Sequence, residues 1–142
     1  MSLNKSLVIS YLVSTLHACA VTKIDESYYG KCSWFEANEK SAIIQSPQCL
    51  NYVACRWDYR KLSKQLDCKR REVKDKLKEM VVEVENLATG KIVYAIPADW
   101  GPARWTGRMI DMSDHLTDSL NVKTDDVVRF KLTRKRDGIV LK

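Results

Sequence analysis

One stretch limits the folds open to this chain: Ala98-Asp99-Trp100-Gly101-Pro102-Ala103-Arg104-Trp105-Thr106-Gly107-Arg108-Met109-Ile110-Asp111-Met112-Ser113. Gly-Pro and so much charge do not suit a core strand. Two tryptophans do not suit a disordered linker. The stretch therefore reads as an ordered loop running into a short strand, Arg108 to Met112. Ordered loops dense in charge and aromatics are where binding and catalysis concentrate, and the chain after residue 27 reads as the frame for this one.

That frame has the pattern of short β-strands. Tyr28 to Phe35 is aromatic, with Gly30 at a bend or bulge. Ala42 to Ile44 is a short apolar run stopped by Ser46-Pro47, and Cys49 to Trp57 is apolar on both faces, as a buried strand would be. Met80 to Glu85 and Ile92 to Ala95 flank a turn containing Thr89-Gly90, which predicts a hairpin. Ser113 to Leu120 predicts a helical turn with Ser113 as N-cap and Asp114 in the first turn. Val127 to Leu132 predicts another strand, and Gly138 to Leu141 a final edge strand. Many short strands with one short helix point to a small barrel. No internal repeat is visible.

Arg60 to Met80 differs in kind. It holds nine Lys/Arg against four acids, a surplus of five in a chain of net charge +6. Leu62 and Leu66, then Val73 and Leu77, are spaced four apart, which suits one or two short amphipathic helices. Two readings stay open: a patch for an anionic polymer or a protein partner, and a solvated helical insertion. The lack of aromatics between Arg60 and Met80 argues against nucleic acid, which would want rings among the cations.

Residues 1–20 combine Lys5, an apolar run from Leu7 and a closing Ala18-Cys19-Ala20. That is the shape of a secretory signal, with a loose lipoprotein variant at Cys19; the alternative is a buried N-terminal helix. Export to the periplasm or cell envelope would leave Cys32, Cys49, Cys55 and Cys68, enough for two disulfides in any of three pairings. In a reducing compartment the same four would be buried thiols. No CxxC pair and no zinc-like Cys/His spacing occurs, and nothing calls for a cofactor.

From Val82 to Leu132 the chain resembles the double-psi β-barrel of the rare lipoprotein A family, more distantly expansins and barwin-like proteins. The motifs are Val82-Glu83-Val84-Glu85-Asn86 with Gly90-Lys91-Ile92-Val93, then Asp99-Trp100-Gly101-Pro102, then Gly107-Arg108-Met109-Ile110-Asp111-Met112-Ser113. The resemblance implies a six-stranded double-psi barrel over residues 28–135, with a basic helical insertion at about 60–78. It implies a peptidoglycan-binding module, with Asp99 as the catalytic carboxylate of a lytic transglycosylase. A carboxylate flanked by apolar rings is suited to deliver a proton to a glycosidic oxygen. Trp100 and Trp105 would be sugar platforms, and Arg104, Arg108 and Asp111 further contacts. The Thr-Ala-Ser-Gly-Glu and His-x-Thr-Leu-Pro stretches of the family's enzymes do not occur here, and Asp58 or Glu36 is the candidate to replace a missing carboxylate. That gap keeps a second class in view: a non-enzymatic docking barrel in an envelope complex or a virion-associated phage tail.

Overall fold

A computed structural model describes residues 23–36, 51–135, 138–139 and 141. Residues 1–20, the Ala42–Ile44 run and Cys49 lie outside the described residues. Six strands close into a mixed barrel: β1 Ser27–Phe35, β2 Tyr52–Cys55, β3 Met80–Asn86, β4 Ile92–Trp100, β5 Ile110–Ser113 and β6 Val127–Arg134, in the spatial order β1-β5-β2-β4-β3-β6. Among the described residues three short α-helices accompany them: α1 Tyr59–Gln65, α2 Val73–Leu77 and α3 Asp114–Leu120. Gly138 sits in a turn, not in the edge strand expected there.

The pairings carry a two-fold relation. β1 is parallel to β5 and antiparallel to β6, while β4 is parallel to β2 and antiparallel to β3. The antiparallel pairs β2–β5 and β3–β6 complete the ring. Exchanging β1, β2, β3 for β4, β5, β6 maps this pairing scheme onto itself. Alternation on β1, β3 and β6 sends Tyr28, Cys32, Val82, Val84, Phe130 and Leu132 into one core.

The hairpin forms as its sequence predicts. Gly90 at φ +74 suits the turn, and its N–H donates to the Asn86 carbonyl at 2.8 Å. Asn86 also donates from Nδ2 to the Leu120 carbonyl at 2.8 Å, so the turn caps the end of α3.

Two boundaries differ from the sequence reading. β4 continues past Ala95 to Trp100, because β2 lies alongside as a parallel partner. Its register slips between Val53 and Ala54, opposite Pro97–Asp99, and a bulge is where a strand tolerates proline. Ser113 occupies the N-cap position of α3 without capping it; its Oγ accepts from the Tyr52 N–H at 3.0 Å and ties β5 to β2 instead.

The basic insertion is no loose appendage. Leu62, Val73 and Leu77 are buried in the same core cluster as the barrel strands. Each buried aliphatic side chain of this kind contributes about 1.5–3 kcal/mol.

Candidate functional site

Asp99 lies on the last turn of pleat of β4, not in a free loop. It pairs across β2 with Ala54, which in turn pairs with Asp111 on β5, opposite Ser33 on β1. The row Ser33–Asp111–Ala54–Asp99 straddles the two-fold relation, so Ser33 is the positional counterpart of Asp99, and Trp34 of Trp100. The two carboxylate-bearing residues stand two strands apart, roughly 10 Å at the backbone.

Trp57 fixes the end of β4. Its Nε1 donates to the Asp99 carbonyl at 3.0 Å, and Trp100 Nε1 donates back to the Trp57 carbonyl at 3.1 Å. Asp99 Oδ1 accepts from the Trp100 N–H at 2.8 Å. Trp57 is buried, whereas Trp100 remains 44% exposed. The arrangement holds one half-buried carboxylate and one partly open indole at a fixed strand end.

A tight cleft adjoins Asp99, lined also by Trp57, Tyr59, Lys74 and Leu77. Its volume is about 10 Å³, room for one water and not for a sugar ring. Burial, and then the Asp99 charge, raise the Tyr59 hydroxyl pKa above its ordinary value. Tyr59 and Lys74 also line an open groove whose other walls are Arg70 and Arg71. Cleft and groove share these two residues, so Asp99 lines one and Arg70 and Arg71 the other of two depressions that meet at Tyr59 and Lys74.

The remaining predicted residues go elsewhere. Asp58 is the N-cap of α1, accepting from the Lys61 N–H at 3.0 Å, and lines neither the cleft nor the groove. Asp111 accepts from the Ser33 hydroxyl and faces Gly101, where a Cβ would lie 3.3 Å from Asp111 Oδ2. Arg108 pairs with Asp125 at 2.8 Å, a bond that lowers the Asp125 pKa and raises that of Arg108. Arg104 and Trp105 sit on a 3-10 turn, with Trp105 89% exposed. None of Arg104, Trp105, Arg108 and Asp111 lines the cleft or the groove. His115 meets Asn51 through Nδ1 at 2.9 Å.

Cys32, Cys55 and Cys68 are free thiols, so the expected disulfides do not join these three to one another. Burial raises both Cys32 and Cys55, Cys32 up to about 12, which keeps them protonated and inert. Among the described residues no cluster of His, Cys, Asp or Glu could hold a metal ion.

Sequence reasoning missed Tyr59, Arg70, Arg71 and Lys74 as members of the Asp99 site. The basic run was visible; that a ring just upstream would fold among its cations was not. Trp34, 54% exposed at the end of β1, was also missed.

No protein-family model matches the chain, and no curated protein matches it significantly. Solved structures do. The computationally designed msDPBB_sym2 protein aligns at 16% identity with a TM-score of 0.43, over 75% of this chain and 98% of that one. The rationally designed mkDPBB_sym2 protein aligns at 18% identity with a TM-score of 0.44, over the same shares. The fold is a closed six-stranded mixed barrel that resembles these double-psi β-barrel designs.

Proposed function

We propose that this barrel is a binding module for a peptidoglycan-type cell-wall glycan, held outside the cytoplasm and acting without cleaving its ligand. One observation carries the reading: a single carboxylate, an aromatic ring and three cations line two depressions that share Tyr59 and Lys74. A carboxylate accepts from sugar hydroxyls, rings offer flat faces to pyranose rings, and cations meet acidic substituents. The family resemblance in the Asp99 loop supports the choice of glycan.

Cleavage has less support. Glycoside hydrolysis ordinarily divides acid and base work between two carboxylates. The lining of the cleft and groove holds only Asp99, and the cleft beside it is too small for a sugar. Pull-down on purified sacculi tests both halves. Wild type should bind, Asp99→Ala should bind about tenfold more weakly through loss of a charged acceptor, and neither should release anhydro-muropeptides. Release by wild type that stops in Asp99→Asn would instead make the protein a lytic transglycosylase. No binding would end the glycan reading.

A second reading, a docking barrel in an envelope or phage tail assembly, draws on Trp34 and Trp105, exposed rings outside the groove. It predicts that Trp105→Ala leaves sacculus binding intact and breaks a protein complex seen by native mass spectrometry.

A further inference from the structure

We infer that the Arg70, Arg71 and Lys74 end of the groove is an anion subsite for the carboxylates of stem peptides attached to the glycan. The proposal rests on the glycan reading above and adds that the module prefers peptide-bearing strands to bare ones. Three observations carry it.

The first is the convergence of cations that have no ion-pair partner. Lys76 pairs with Glu79 at 3.9 Å and Lys78 with Asp75 at 3.3 Å. Among the described residues, Arg70, Arg71 and Lys74 form no ion pair. Arg60, Lys61, Lys64 and Lys69 form none either, but of these seven cations only Arg70, Arg71 and Lys74 line the groove.

The second is where the nearby acid goes. Glu72 adjoins Arg71 in sequence, yet its carboxylate accepts from the Lys69 N–H at 2.6 Å and closes the 3-10 turn Arg70–Glu72. The local acid serves the backbone and leaves the guanidinium groups for a ligand.

The third is rigidity. Val73 and Leu77 are buried in the core on either side of exposed Lys74, so the cations are displayed from an anchored segment. Two guanidinium groups and an ammonium beside a tyrosine suit carboxylates, which arginine binds in bidentate fashion. Asp99 at the far end would repel an anion, so the acidic substituent belongs at the basic end and the neutral sugars toward Asp99.

The test compares binding to intact sacculi with binding to glycan strands stripped of stem peptides by an amidase. Wild type should bind intact material about tenfold more tightly. Arg70→Gln with Arg71→Gln should lose about tenfold on intact sacculi and bind both materials equally. Lys76→Gln with Lys78→Gln removes the same charge from paired positions and should change binding less than twofold. Equal wild-type binding to both materials would overturn the subsite while leaving the glycan reading intact. An equal loss in both double variants would reduce it to net charge and overturn it. Tighter binding to a single-stranded oligonucleotide than to sacculi would reassign the cations to nucleic acid. Failure of wild type on both glycans would overturn the glycan reading and the subsite together.

Discussion

Gly30 lets Met109 pack directly against the β1 backbone. A Cβ there would lie 2.2 Å from Met109 Cγ and 2.4 Å from Met109 Cβ. Gly30→Ala should therefore cost about 1–3 kcal/mol by overpacking, seen as a lower urea midpoint at unchanged slope. Cys32 gives a pH signature. Its thiol, raised by burial and by Asp126, ionises at about 12 in the fold against an ordinary value of 9.0. The folded state thus keeps a proton that the unfolded chain releases first. Stability from the neutral thiol is whole below about pH 9 and lost as pH rises toward 12. Urea midpoints should fall over that range more steeply in wild type than in Cys32→Ala. Arg56, just after β2, is buried, with Nη2 donating to Met109 Sδ at 2.7 Å. The Cys49–Trp57 run reads as buried on both faces, but that its arginine would meet Met109 depends on the distant segment before β5.

At the scale of elements, the outer wall and the insertion are held by different means. β3 and β6 share a charged strip in which Arg129 meets Glu83 and Glu85. Burial lowers the Arg129 pKa, but its bonds to the two carboxylates outweigh this and raise it overall. The alternation of these residues was legible; their ion pairing needed the register Glu85↔Arg129 and Glu83↔Lys131. The insertion starts at a cap. Asp58→Ala should destabilise α1 by about 1 kcal/mol, read as faster amide exchange over Tyr59–Gln65 with sacculus binding unchanged. A loss of binding as large as that of Asp99→Ala would return Asp58 to the functional site.

For the whole molecule, barrel and insertion share one core cluster. Leu62→Ala should therefore cost about 2–5 kcal/mol and lower a single cooperative transition monitored by the barrel tryptophans. A separate early transition would mean that the insertion folds on its own. The two-fold pairing scheme is another property of the whole: the halves share strand order and sense without a visible sequence repeat, because pairing constrains backbone direction and alternation rather than residue identity. The strands around the Asp99 loop, the hairpin turn at Gly90, the amphipathic insertion and the barrel class were legible in the residues alone. Those features depend on contacts within a few residues or on a repeating period. Long-range packing sets the rest: Asp99 lies near the end of β4, Arg108 turns to Asp125 and Asp111 to Ser33, and Tyr59 completes a groove with Arg70, Arg71 and Lys74. These are contacts between segments far apart in the chain, and their partners are chosen by strand register and core burial, which no local pattern encodes.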